Sequence, residues 1–238
     1  MKLFEIRPEL PQSHRIVDIP MLKGASTIGT GAQGYVQSLK TKPNKVVKIA
    51  LMVDNDAYEQ FIRVVSKYQN NPYFPIIYSV KKYPINKMSP QDHIDLISKV
   101  HGDPDNYKYS QGMLDQIKWV VVVVMERLFP VIGPISQVIY KQLLKLYGSI
   151  GQEMYNKKES LNQLFWILND PIELTKVLRS TPDPQFKNAL RLLRPLLSNI
   201  RHMSDMRRDN IMYRKIGNVP QIVFVDPIWN NFSETKKG

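Results

Sequence analysis

The chain is predicted to be an α+β protein with a strand-rich first part and a helix-rich second part, and three observations carry that expectation. β-rich runs dominate as far as Met125, apolar residues recur at helical spacing from Pro134 to Ile200, and a hairpin pattern returns between Ile211 and Val225. Strands, then helices, then a late hairpin imply two lobes, with the boundary near Glu126 to Gly133. With 238 residues the chain can bury a real core, and 43% hydrophobic against 23% charged residues excludes wholesale disorder.

The first strands are expected over Ser26 to Leu39 and Lys45 to Leu51, split by the turn-like Lys40-Thr41-Lys42-Pro43-Asn44. An amphipathic helix follows, with Tyr58, Phe61, Ile62 and Val65 on one face and start signals at Asp54 to Asp56. Asn70-Asn71-Pro72 ends it, and Ile76 to Val80 reads as the next strand. An insertion from about Pro84 to Lys118 opens a helix at Ser89-Pro90-Gln91-Asp92, whose apolar stripe is Ile94, Ile97 and Val100. The run Trp119 to Met125 is so apolar that it must be a buried central strand. Three helical stripes come next: Leu143, Leu144 and Tyr147; Leu161, Leu164, Phe165 and Leu168; and Leu190, Leu193, Leu197 and Ile200. The last opens at Asp183-Pro184 and is expected to kink at Pro195. The late hairpin turns at Gly217-Asn218.

Composition removes several functions. With no cysteine there is no disulfide framework, thiolate catalysis or cysteine-based zinc site, which fits a cytoplasmic location. His14, His93, His101 and His202 lack metal-ligand spacing. No run approaches the roughly 18 apolar residues that cross a bilayer, so no membrane partner is expected. The start, Met1 to Arg7, has no apolar signal-peptide core. The net charge of +12 draws acidic partners: nucleotide phosphates, acidic protein surfaces or nucleic acid.

Gly29-Thr30-Gly31-Ala32-Gln33-Gly34-Tyr35-Val36 is a full G-x-G-x-x-G-x-V, which brings backbone N–H groups close to phosphates. A dinucleotide-binding loop would need a helix after it, whereas Tyr35 to Leu39 continues as a strand. Lys48 stands alone in the apolar Val46 to Ala50, where phosphate oxygens would satisfy it and Glu59, or less directly Asp56, would orient it. Downstream, Asp205, Asn210 and Asp226 can converge on one magnesium–phosphate centre. Asn210 and Asp226 offer hard oxygen ligands, Asp205 can take or steer the proton of an attacking hydroxyl, and Arg207 can steady the transferring phosphoryl. Taken singly, each has a plainer reading: a ligand-free hairpin, an edge lysine, a solvated glutamate, a turn cap or a strand end.

Taken together and in order, Gly29 to Val36, Lys48, the hinge-like Val124-Met125-Glu126-Arg127-Leu128, Asp205-x4-Asn210 and Asp226 resemble the protein-kinase signature set. The resemblance runs from about Ile28 to Ile228. It implies a two-lobed kinase-like fold in one domain, with an N-lobe of about 1–128 and a C-lobe of about 129–238. It also implies ATP and Mg²⁺, adenine held by the backbone of Glu126 and Leu128, and a back pocket guarded by Met125. The chain departs from the family at Met203-Ser204-Asp205 in place of His-Arg-Asp, and at Asp226-Pro227-Ile228 in place of Asp-Phe-Gly. Pro227 to Gly238 leaves no room for an activation segment, an Ala-Pro-Glu motif or the late helices.

Within that family the Asp-x4-Asn-Ile-Met run, the Val-Pro before the last strand and the Asp-Pro resemble the early serine/threonine kinases of lytic bacteriophages. That resemblance implies an enzyme acting on host proteins in the host cytoplasm and phosphorylating itself. Arg201, Arg207, Arg208, Arg214 and Lys215 make the region around Asp205 basic, which suits an acidic protein acceptor. The competing readings are a small-molecule kinase, which would need an acidic acceptor pocket, and a non-catalytic binder of host protein or nucleic acid.

Overall fold

The computed structural model describes residues 26–31, 34–88, 96, 116–199 and 202–230. The helix expected from Ser89, with Ile94, Ile97 and Val100, lies outside the described residues, as do Ala32, Gln33 and Arg201. The fold is mixed α+β, with a five-stranded antiparallel sheet and six α-helices among the described residues. The chain divides into two compact units, residues 1–56 with 77–127, and residues 57–76 with 128–238.

The first unit is built on the sheet, in the order β1-β2-β3-β5-β4. Its strands are β1 (Ser26–Gly31), β2 (Gly34–Ser38), β3 (Lys45–Met52), β4 (Ile77–Pro84) and β5 (Trp119–Glu126). Alternation sends Val47, Ile49 and Leu51 of β3 and Val120, Val122 and Val124 of β5 to one face. There they join Tyr35, Leu39, Tyr83 and Leu96 in one apolar core. β4 runs four residues beyond the expected strand, through Lys81-Lys82-Tyr83-Pro84. It is an edge strand, where lysine and proline are tolerated because one side of the ladder is open. Tyr83 still reaches the core from it.

The second unit holds α1 (Ala57–Lys67), α2 (Ile135–Leu146), α3 (Ser149–Asn156), α4 (Leu161–Trp166), α5 (Pro171–Ser180) and α6 (Pro184–Leu197). The three expected stripes fall at α2, α4 and α6, with Ile200 outside the described residues, while α3 and α5 are helices the sequence reading did not mark. The extra divisions fall at Gly148, which adopts φ 62°, and at Asp170, whose carboxylate caps Ile172 and Glu173. α1 begins directly after the start signals at Asp54 to Asp56. Its first N–H, on Ala57, donates to Asn230 Oδ1 at 2.8 Å, a bond to a residue 173 positions away. The helix opening at Asp183-Pro184 forms as expected, with Asp183 accepting from Phe186 N–H. It continues through Pro195 to Leu197, although the proline ring offers no N–H to the Arg191 carbonyl.

Three short ladders among the described residues also belong to this unit. β6 (Phe129–Pro130) pairs with β8 (Ile211–Ile216), which forms the late hairpin with β9 (Val219–Phe224) around Gly217. β7 (His202–Ser204) pairs antiparallel with β10 (Ile228–Asn230). At the centre of the core, the Phe186 ring meets Tyr73 edge-on and stacks on Tyr147 and Phe224.

Candidate active site

The strand ladders of the first unit bring several predicted nucleotide-binding residues together. Val36, Lys48 and Val123 are consecutive cross-strand partners on β2, β3 and β5. Alternation places this row on the sheet face opposite the apolar core, where Val46 and Met125, also paired, lie two residues along. Lys48 is half-buried, so its charge is only partly solvated. Glu126 is the last residue of β5, pairs with Lys45 and is buried. Leu128 opens the second segment of the second unit, 128–238, and is half-buried.

The glycine motif forms a hairpin, not a strand leading into a helix. Gly29 pairs with Val36 and Gly31 with Gly34, with Ala32-Gln33 between them. The glycines serve different ends. A Cβ on Gly34 would lie 2.1 Å from the Ile49 carbonyl oxygen, so glycine is required for β2 to approach β3. A Cβ on Gly29 would meet nothing within 4 Å, leaving its surface open to an incoming group.

Asp205, Arg207, Asn210 and Asp226 come together in the second unit. Asp205 directly follows β7, and Asp226 stands two residues before that strand's partner β10. Two backbone bonds close the arrangement around Asp226. Val225 N–H donates to the Asn210 carbonyl at 3.0 Å, and Asp205 N–H donates to the Pro227 carbonyl at 2.8 Å. The Asn210 amide nitrogen donates to the Asp205 carboxylate at 2.7 Å and to its carbonyl at 2.9 Å. That leaves the amide oxygen as the atom through which Asn210 would bind a cation. Arg207 Nε lies 3.1 Å from the other carboxylate oxygen of Asp205.

Burial pushes the Asp205 carboxyl above its ordinary value, while the Arg207 guanidinium and the Asn210 amide pull it down. The neighbouring Asp226 and Asp209 charges push it up again. In metal-free protein, Arg207→Met is therefore expected to raise the Asp205 titration midpoint, because it removes a cation that favours the carboxylate. Carboxyl carbon chemical shifts followed against pH check this, and an unchanged or lowered midpoint would contradict the assigned contact.

Glu59 lies on α1, where its carboxylate accepts from Arg63 at 2.7 Å and its side chain is only 11% exposed. Asp56 is fully buried and accepts from Val53 N–H. Among the described residues, no group of three or more His, Cys, Asp and Glu could hold a metal ion. The Asn210 and Asp226 oxygens nonetheless have the donor chemistry of a magnesium site, since that ion takes one or two protein oxygens and fills its other positions from water and phosphate.

One residue, Asn169, escaped the sequence reading, and so did the internal bond made by Arg208. Asn169 Oδ1 accepts from Ser204 Oγ at 2.6 Å and Met206 N–H at 2.8 Å, so one side chain grips both neighbours of Asp205. Arg208 donates from Nε to the Val131 carbonyl at 2.6 Å. No local signal marks these bonds, because their partners lie tens of residues away. The basic residues expected to greet an acidic acceptor are also engaged internally. Besides Arg207 and Arg208, Arg214 donates to the Pro72 and Phe74 carbonyls, and Lys215 lies over the Phe129 ring.

No protein-family model matches the chain, and no curated protein matches it in sequence.

Proposed function

We propose that the chain is an ATP- and Mg²⁺-dependent phosphotransferase, a serine/threonine protein kinase of the shortened, bacteriophage-like type in a two-lobed kinase-like fold. The observation that carries this reading is the bond of Asn210 to Asp205, with the Val225–Asn210 and Asp205–Pro227 backbone bonds fixing Asp226 beside them. A carboxylate for the acceptor proton and two hard oxygens for a cation are the minimum a phosphoryl-transfer centre needs.

In this reading the first unit binds nucleotide. The open surface over Gly29 admits phosphates, Lys48 neutralises them, Val36 offers apolar surface to the adenine ring, and the buried Met125 guards the back pocket. Glu126 and Leu128 supply main-chain hydrogen-bonding groups for its polar edge. The second unit performs the transfer. Asp205 orients the attacking hydroxyl and takes its proton, its affinity for that proton raised by burial. Arg207, 55% exposed and adjacent, meets the negative charge of the transferring group. Asn210 and Asp226 would hold Mg²⁺, which when bound neutralises phosphate charge. The Ser204 position, arginine in the family pattern, carries no charge to pair with a phosphorylated loop, so activity needs no such phosphorylation.

Transfer of labelled γ-phosphate from ATP to the chain itself and to dephosphorylated casein, an acidic acceptor, tests the proposal. Label is expected with magnesium and should disappear when EDTA is added. Binding of Mg-ATP without transfer to either acceptor would overturn it in favour of a non-catalytic nucleotide-binding protein.

A further inference from the structure

Asp205 must hold one orientation if it is to meet a hydroxyl, yet it sits in a segment with little regular structure. Among the described residues the three-residue strand β7 precedes it, and a three-residue 3-10 turn, Arg208–Asn210, follows. Short segments of this kind open locally unless something outside them closes their hydrogen bonds. Three bonds to Asn169 do so. Its Oδ1 takes the Ser204 hydroxyl and the Met206 N–H, and its Nδ2 gives a third, longer bond of 3.3 Å to the Met206 carbonyl. Asp205 lies between the two residues gripped.

Asn169 is itself well held. Leu168 before it is 1% exposed, and Asp170 after it caps α5 through Ile172 N–H at 2.7 Å and Glu173 N–H at 3.0 Å. Met206, which the same amide binds through its N–H and C=O, is 0% exposed. The side chain at 169 must accept two bonds and donate one at once, which a carboxamide does and a carboxylate or hydroxyl does less completely. We infer that Asn169 is a positioning residue for Asp205: it transmits the fixed geometry of the α4–α5 connection to the carboxylate without touching substrate. The role rests on the phosphotransferase reading.

Mg-ATP-dependent phosphorylation of casein is compared for wild type, Asn169→Ala, Asn169→Asp and Ser204→Ala, with ATP affinity and thermal midpoint measured on each. Misplacement of a catalytic group by about 1 Å costs on the order of 100-fold in rate. Asn169→Ala is therefore expected to lower kcat about tenfold to 100-fold with KM for ATP unchanged. Asn169→Asp keeps both acceptor bonds and should recover much of the loss, while Ser204→Ala, which removes one bond, should fall between wild type and Asn169→Ala. Exchange of the Met206 amide hydrogen should quicken in Asn169→Ala and slow again in Asn169→Asp.

An active wild type with unchanged kcat in folded Asn169→Ala overturns the inference alone. Loss of activity that only follows the thermal midpoint, equal in the alanine and aspartate variants, also overturns it. Should Asn169→Ala fail to fold, an unchanged kcat in Ser204→Ala is the overturning result. A wild type that transfers no phosphate to casein or to itself removes the phosphotransferase reading and this role with it.

Discussion

Asp205→Asn is expected to lower the rate of phosphate transfer about 100- to 10,000-fold while leaving the fold intact, the range by which a positioned general base accelerates reactions. The backbone bonds at this position, from Asp205 N–H to Pro227 and from Arg207 N–H to the Asp205 carbonyl, do not involve the side chain and survive the change. The sign of the stability effect is informative. A carboxyl whose folded-state pKa is raised binds its proton more tightly when folded, so stability rises as pH falls through that pKa and is lower at neutral pH. A neutral asparagine removes that penalty. The variant should accordingly match or slightly exceed wild type in thermal midpoint at neutral pH, with Mg-ATP affinity retained. Activity and stability moving in opposite directions would mark Asp205 as a group kept for chemistry; a parallel fall in both would mark it as structural.

Phe186→Ala should have the largest effect on stability. Phe186 is fully buried, with ring centroids of Tyr73, Tyr147 and Phe224 at 5.0, 6.1 and 6.0 Å. Truncating such a residue removes its transfer free energy and leaves a cavity, a loss of about 3–5 kcal/mol. The ring pairs add a favourable edge-on contact that an alanine cannot replace. Against a total stability of about 5–15 kcal/mol for a domain, that is enough to lower the urea midpoint of the second unit severely. Amide exchange in α6, which carries Phe186, reports on that unit directly. Phe186→Leu retains most of the volume and should cost less, so similar losses in the two variants would show that the ring is not a centre of the core.

Continuous apolar runs made β3 and β5 legible, because a strand flanked on both sides has little use for polar residues. The cap at Asp183 and the turn at Gly217 were legible for a different reason: their chemistry is local. β7 and β10 were not, since three residues are too few to show a period and their pairing joins positions 24 to 28 residues apart, from Ser204 with Ile228 to His202 with Asn230. The order of Asp205, Asn210 and Asp226 suggested a common centre, but the bonds that assemble it run through the main chain of Val225 and Pro227, where sequence carries no mark. Asn169 was invisible on the same ground. Nothing in the residues beside it foretells a grip on Ser204 and Met206.

The arginine braces change what the basic composition means. A count of +12 treats every cation as a tentacle toward solvent. Arg208 and Arg214 instead behave as rivets: each charge is fixed by main-chain oxygens and turned to tying distant stretches of the chain together. Lysine, a single flexible point charge, could not bridge two carbonyls with the same planar fork as Arg214. Part of the excess of positive charge is thus internal joinery, and a visiting molecule meets a less adhesive exterior than the tally of basic residues suggests.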